Sequence, residues 1–501
     1  MITEARVQVG LATAVLLAYL IPEIMALVHS PVFVFVNGWD EETYLTWQGA
    51  IGSRNEVGYL ILWPYSLMHG FGMSGAMQNF WSDMILPLAS VGLVTSALYR
   101  FGMSPAKAYA FAVLILFSST LFNHANPVVS YLLGDLDGQA LFMSGWELYP
   151  SILRTPNPQA SYFLIALAVY SWARWRRDWI LLLPLPLLYY FVAVPYAAAL
   201  ALAAGWRIWT SRNPEAGPAA LLMGALLLWL LMGLTATLLF WGAGYYAPDH
   251  WVHQDPWVYA ATRQVQIPIV LLFFVLFYLG FRHLGWLQAR RKTTIWLIAL
   301  ALIAMATVNL HIVTGFMLSQ KNYYDYGLSV VFGLMTVASI HILRDKVANA
   351  ILAGVLVMVV VPTLASHLHF YHRAVSIAHR AAPYAKSVRD DPMHALILDR
   401  EVSSRMAYAY AKLPAPPFSY QYYFSFIERQ CGRYPGLLIA ALDEVNRTLP
   451  DTDPAHVMLN ETATQIQQGQ LRAVRIPYRY EGYCTDSAFT PDGFRIMGHA
   501  P

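Results

Sequence analysis

Charge and cysteine are both scarce in this sequence. Only 12% of its 501 residues are charged, about half the share in a soluble domain, whereas 57% are hydrophobic. The formal net charge of +3 is too small to indicate a nucleic-acid-binding protein, and we predict no nucleic-acid partner. The sequence also lacks a Gly-rich phosphate loop of the P-loop or Rossmann kind, so nothing in it indicates a nucleotide-binding fold.

Long apolar runs recur along the chain and predict an all-α polytopic membrane protein with about 11 transmembrane helices. The first run is too long for a cleaved signal peptide, and we interpret it as a retained helix. Residues 180–206 are apolar but contain Pro184, Pro186 and Pro195. Because Arg residues flank both ends of this stretch, we predict two short helices that enter and leave on the same side. The other predicted spans lie near residues 7–29, 81–100, 106–122, 159–173, 219–240, 267–282, 294–314, 324–343 and 348–366.

The distribution of Lys and Arg orients these spans. Most basic residues fall in short loops on one face, which predicts a cytoplasmic N-terminus in the inner (plasma) membrane and an extracytoplasmic, periplasmic C-terminus. The opposite face receives long outer loops at 30–80, 123–158, 241–266 and 315–323. Those loops are rich in aromatic and acidic residues. Their few basic residues run against the Lys/Arg asymmetry and therefore need an explanation other than membrane orientation. These are Arg54, Arg154, Arg263 and Lys321.

The chain changes composition after the last predicted span. We divide it into a transmembrane domain at 1–372 and a small mixed α/β domain at 373–501. Within the second domain we predict a strand at Ala395–Asp399, a helix at Gly436–Leu449 and a strand at Leu471–Tyr478. Cys431 and Cys484 are the only cysteines. An extracytoplasmic tail permits a disulfide between them, and two buried free thiols are the alternative.

The most informative motif is the run Asp40-Glu41-Glu42-Thr43-Tyr44, which follows the first span. Ionisable groups at a membrane edge are expensive and are candidates for function. The motif looks like the Asp-Glu-x-x-Tyr pattern of aminoarabinose transferases and is similar to the Asp-Glu pair of protein O-mannosyltransferases. Together with the topology and the C-terminal domain, it makes the chain resemble the GT-C superfamily of membrane glycosyltransferases. In those families the Asp is the catalytic base, and this role maps onto Asp40.

The resemblance implies an inverting transfer of sugar from a polyprenyl-phosphate donor to a glycan, lipid or protein acceptor in the cell envelope. Asp40 would accept the proton of the attacking hydroxyl, and Glu41 would assist by orienting the acceptor or by holding a divalent metal ion. The leaving phosphate needs a cation, for which the candidates are Arg154, Arg263 and Lys321. We expect the acceptor or pocket residues to be Glu42, Tyr44, Tyr323 and Tyr324.

Several alternative interpretations remain open. Arg154 and Arg263 could instead anchor helix ends at the membrane interface. His367, His369 and His372 have metal-ligand spacing, but an interfacial belt at the end of the last helix is the favoured interpretation, and we assign no metal ligand among them. The whole protein could also be a transporter or flippase, or a non-catalytic assembly subunit built on a glycosyltransferase-like fold.

Overall fold

A computed structural model describes the chain at residues 2–30, 67–68, 70–73, 75–122, 150–154, 158–210, 223–224, 226, 265, 267–268, 270–288, 291–310, 312, 323–390, 395–397 and 495–497. The chain divides into two compact units, each of which is described by itself. Unit 1 comprises residues 1–23, 82–234 and 254–369, and unit 2 comprises 24–81, 235–253 and 370–501.

The described residues are mostly helical, as the sequence predicts. The α-helices are α1 (Ile2–His29), α2 (Gly75–Arg100), α3 (Pro105–Phe117), α4 (Ser119–Phe122), α5 (Gln159–Trp175), α6 (Tyr190–Thr210), α7 (Val270–His283), α8 (Arg291–Val308), α9 (Ser329–His341) and α10 (Asp345–Asp390). Short 3-10 helices occur at Ser151–Leu153, Asp178–Leu182 and Leu185–Leu187, and a π-helix occurs at Tyr323–Leu328.

Among the described residues, four helices are long and apolar enough to cross a membrane by length and composition. They cover Glu4–His29, Met77–Arg100, Phe191–Trp209 and Asp345–Arg380. Shorter apolar helices occur at Pro105–Phe117, Asp178–Leu187, Val270–His283 and Lys292–Val308. The protein is therefore membrane-associated through apolar helices, which agrees with the coarse prediction from hydropathy. The predicted span at 219–240 lies almost entirely outside the described residues.

Contacts within unit 1 bring the basic helix ends together, and we call this end of the unit the basic end. Lys107 at the start of α3 pairs with Asp345 at the start of α10, with Nζ 3.6 Å from Oδ1. Gln8 of α1 donates to Asn349 of α10 over 2.9 Å. The loop after α7 reaches the same place, because the Arg344 backbone amide donates to the Trp286 carbonyl over 3.0 Å.

A second set of contacts involves two further basic residues of unit 1, Arg176 and Arg207. The Arg176 guanidinium lies 5.6 Å from the ring centroid of Phe101, which follows α2, and 5.5 Å from that of Trp172 in α5. Arg207, near the end of α6, pairs with Asp178. These contacts bring the basic ends of α2, α5 and α6 together.

The Pro-rich stretch returns to the side from which it starts. Asp178 begins the stretch, and it accepts hydrogen bonds from Arg207 and from the Trp172 indole. At the far end, the Tyr189 amide donates to Ser161 in the first turn of α5 over 2.8 Å. The first half of this stretch consists of the two 3-10 helices at Asp178–Leu182 and Leu185–Leu187 rather than an α-helix. Pro184 and Pro186 lack the backbone amide hydrogens that an α-helix needs. Tyr196 compensates by donating to the Leu181 carbonyl over 2.8 Å.

Close helix packing in unit 1 depends on two glycines. Gly333 of α9 lies against α3, and an added Cβ there would be 2.6 Å from the Ile115 carbonyl oxygen and 2.7 Å from the Ser118 hydroxyl. Gly327 of the π-helix lies against α6, where an added Cβ would overlap the Phe191 carbonyl oxygen. The adjoining apolar core is formed by α7, α8 and α9, and it includes Tyr324, Leu328 and Phe332.

In unit 2 the described structure is sparse. Tyr371 and His29 are joined by a hydrogen bond of 3.0 Å between the phenol and Nδ1. Strand β1 (Ala395–Ile397) pairs in parallel with β2 (Arg495–Met497), with Leu396 opposite Ile496. β1 begins where the sequence predicts a strand. The predicted helix at Gly436–Leu449 and strand at Leu471–Tyr478 lie outside the described residues.

The last helix is longer than predicted. α10 continues to Asp390, past residue 366 where the apolar run ends and past the predicted domain boundary at 373. The placement of the three His residues at the end of this helix was therefore wrong. His367 is fully buried inside α10, and its Nδ1 hydrogen bonds to the Thr363 carbonyl over 2.7 Å, whereas His369 and His372 are exposed.

Candidate functional site

Arg154 lies at a junction between two helices at the end of unit 1 that is opposite the basic end. Its backbone amide donates to the Ser151 carbonyl, which closes the short 3-10 helix before it. Its carbonyl accepts a hydrogen bond from the Gln159 backbone amide over 3.3 Å. This bond satisfies the amide of the first residue of α5, which has no partner within the helix. The Arg154 guanidinium lies over the Tyr326 ring, with Cζ 4.6 Å from the ring centroid. A planar cation at this distance from a ring is held in a defined orientation.

Tyr326 belongs to the π-helix, whose wide turn displaces carbonyls from their usual acceptor positions. Side chains from neighbouring elements bind two of these carbonyls. Tyr162 of α5 donates to the Tyr326 carbonyl over 2.5 Å, and Ser151 donates to the Asp325 carbonyl over 2.5 Å. Ser329, at the start of α9, lies 2.8 Å from the Tyr162 hydroxyl. Hydrogen bonds from two directions therefore fix the π-helix under Arg154.

A buried amide links the start of α5 to α2. Gln159 is fully buried, accepts a hydrogen bond from the Ser82 hydroxyl and donates one to Asp83 Oδ1, both over 2.8 Å. Buried polar groups are normally satisfied in this way, and a fixed network specifies a single arrangement of the helices that carry it. Asp83 is fully buried inside α2, which begins six residues before the predicted start at 81.

Glu23 and Tyr19, one turn apart on α1, extend this polar region. Both side chains are fully buried. The Tyr19 phenol interacts electrostatically with Glu23 and with Asp83, and its ring centroid lies 6.0 Å from that of His367. Two buried carboxylates within apolar helices carry a high desolvation cost, which marks this region as a candidate for function.

No known protein family, curated protein or solved structure matches this chain.

Of the predicted site residues, the structure describes three. Arg154 lies over the π-helix as given above. Tyr323 is buried edge-on against Phe191, with ring centroids 5.0 Å apart. Tyr324 is buried in the apolar core, with its ring centroid 6.4 Å from that of Phe332. The predicted pocket role of these tyrosines stays a prediction. The remaining predicted residues, Asp40, Glu41, Glu42, Tyr44, Arg263, Lys321, Cys431 and Cys484, lie outside the described residues.

The sequence interpretation missed Glu23. The pattern that could have revealed it is a single carboxylate inside a long apolar run, one helical turn after a tyrosine. Within the described part of the chain, no group of three or more His, Cys, Asp or Glu residues is arranged to hold a metal ion.

Proposed function

We propose that this protein is an inverting membrane glycosyltransferase that moves a sugar from a polyprenyl-phosphate donor to an acceptor. One observation carries the proposal. The described Lys and Arg residues of unit 1 other than Arg154 lie at helix ends or in loops, and the contacts of Lys107, Arg176, Arg207 and Arg344 define the basic end. Arg154 lies at the opposite end, where its guanidinium rests on Tyr326. Arg154 is therefore an exception to the distribution of basic residues in the described part of unit 1. A cation at this position is suited to bind an anionic group of a substrate.

The chemistry assigns that anion to the leaving group. As the acceptor hydroxyl bonds to the anomeric carbon, the bond from this carbon to the phosphate oxygen breaks and polyprenyl phosphate leaves with the electron pair. Arg154, with Arg263 and Lys321, would stabilise the charge that develops on that phosphate. Asp40 would take the proton of the hydroxyl, with Glu41 beside it. The segment that carries Asp40 connects α1 to α2, and α1 runs away from the basic end.

The proposed topology has eleven spans, with the basic end in the cytoplasm. The described segments of unit 1 run alternately towards and away from the basic end, except that α6 and α7 both end there. The proposal therefore needs an odd number of crossings between α6 and α7. The predicted span at 219–240 supplies one such crossing. The proposed topology would put Arg154 and Asp40 on the extracytoplasmic side, together with a tail in which Cys431 and Cys484 would form a disulfide.

Cleavage of a lipid-linked sugar tests the proposal. Purified protein in detergent is incubated with a panel of polyprenyl-phosphate sugars, and polyprenyl phosphate is quantified by mass spectrometry. We expect release that depends on one sugar and on an acceptor. Absence of release across the panel, from protein with a cooperative unfolding transition, would favour a non-catalytic assembly subunit.

Transport is a second candidate function, and the burial of Glu23 and Asp83 favours it. Carboxylates inside a helix bundle commonly mark ion or proton pathways. The two functions respond differently to Glu23→Gln. A transporter should lose substrate movement across proteoliposomes in this variant, whereas a glycosyltransferase with its site at the Asp40 loop should keep donor cleavage.

A further inference from the structure

A cavity of about 300 Å³ opens at the basic end of unit 1, far from Arg154. It lies between the start of α3, the end of α9 and the start of α10. This volume is at the lower limit of small-molecule sites. The cavity has two distinct parts. Its floor is apolar and buried, formed by Phe111, Ile340 and Leu352 among others, and its rim is polar.

The rim carries groups of the kinds that bind phosphate in proteins. Lys107 contributes an ammonium, and Ser104 contributes a hydroxyl that makes no capping bond to α3. His341 lines the same rim. The first turns of α3 and α10 also meet here, and their amide ends favour an anion. Lys107 pairs with Asp345 over 3.6 Å, but both side chains remain partly exposed, so solvent weakens the pair.

The charge around the cavity is positive. Arg100, Arg344 and Lys346 are exposed residues within a few positions of the lining residues. The nearby acids are Asp345, which lines the cavity, and Glu4, which accepts a hydrogen bond from the lining residue Asn349. A basic site between membrane helices attracts anionic lipid headgroups. A purely polar ligand such as free phosphate fits this cavity less well, because it would leave the apolar floor uncovered. An amphiphile would cover both the polar rim and the apolar floor.

We infer that this cavity binds the phosphate headgroup of an anionic phospholipid from the leaflet on the basic side. Lys107 and Ser104 hold the phosphate, and the first methylene groups of the lipid lie on the apolar floor. Bound there, the lipid contacts α3, α9 and α10 at once. Asn349 extends the contact to α1, because it hydrogen bonds to Gln8 and Glu4.

The experiment measures phosphatidylglycerol binding to the full chain by native mass spectrometry, with phosphatidylcholine as the zwitterionic comparison. We expect Lys107→Gln to weaken phosphatidylglycerol binding about fivefold, the factor for one cation near a membrane surface. The matched control is Lys292→Gln, an exposed lysine at the start of α8 that does not line the cavity. Ala348→Phe fills the floor without changing charge and should also weaken binding.

Three outcomes would overturn the inference. Equal losses in Lys107→Gln and Lys292→Gln would indicate general attraction to the basic end. Unchanged binding in Ala348→Phe would show that the floor is not occupied. Displacement of the lipid by millimolar inorganic phosphate would identify a free phosphate as the ligand.

Discussion

The guanidinium of Arg154 lies over the ring of Tyr326, with Cζ 4.6 Å from the ring centroid. This contact joins the residue that follows the 3-10 helix Ser151–Leu153 to the π-helix that precedes α9. Hydrogen bonds from Tyr162 and Ser151 to the π-helix carbonyls hold the ring in place. The cation is thus positioned by the packed interior of unit 1, and such support keeps a binding group in one geometry.

Arg154→Gln should weaken use of the lipid-linked donor. A charged hydrogen bond to phosphate contributes about 1.5–3 kcal/mol, so the donor concentration for half-maximal rate should rise roughly 10–100-fold. The control is Arg282→Gln, which removes an exposed arginine from the last turn of α7 at the basic end. Steady-state donor titration compares the two variants. Equal donor dependence in both would remove Arg154 from the site.

Gly327→Ala should destabilise unit 1. The added methyl group would overlap the Phe191 carbonyl oxygen, and relief requires the π-helix and α6 to separate. Overpacking of this kind costs about 1–3 kcal/mol. The comparison is Gly354→Ala in α10, where nothing lies within 4 Å of the new Cβ and the change should stabilise the helix by up to about 1 kcal/mol.

Thermal unfolding in detergent distinguishes these two glycine variants. The midpoint should fall for Gly327→Ala and should stay level or rise for Gly354→Ala. If both midpoints move together, the close approach of the π-helix to α6 is not what Gly327 provides.

The basic end should face the cytoplasm. A reporter that functions only in the cytoplasm should be active when fused after Arg212, just beyond α6, and inactive when fused after Pro501. The Lys/Arg asymmetry is the physical reason for this orientation. Activity after Pro501 would show that the tail lies in the cytoplasm, on the other side of the membrane from the proposed site.

Hydropathy was sufficient to locate most helices. α1, α5 and α7 begin and end within a few residues of their predicted limits, because each coincides with an apolar run. The flanking arginines also predicted that residues 180–206 start and end on the same side, and the pair between Asp178 and Arg207 brings the two ends of this stretch together. The extension of α10 to Asp390 was not predicted, because hydropathy identifies only the apolar part of a helix. Residues with high helix propensity can continue the same helix into polar sequence.

The candidate site was less accessible to sequence interpretation. Arg154 was identified because it breaks the charge asymmetry, which is a property of the sequence itself. Burial of Tyr323 and Tyr324 could not be read from their position beside a polar loop, because it depends on α6, α9 and the π-helix meeting. The link from Gln159 to Asp83 joins residues far apart in the chain, and no local pattern encodes it.

The most direct test of the account is single-turnover sugar transfer by Asp40→Asn and Glu41→Gln, measured side by side in folded protein. Asp40→Asn preserves size but removes the proton-accepting charge. Loss of a general base costs roughly 100-fold to 10,000-fold in rate, and we predict a fall of this size for Asp40→Asn with a smaller one for Glu41→Gln. A collapse only in Glu41→Gln would transfer the role to Glu41. Near-normal rates in both variants would contradict the glycosyltransferase account.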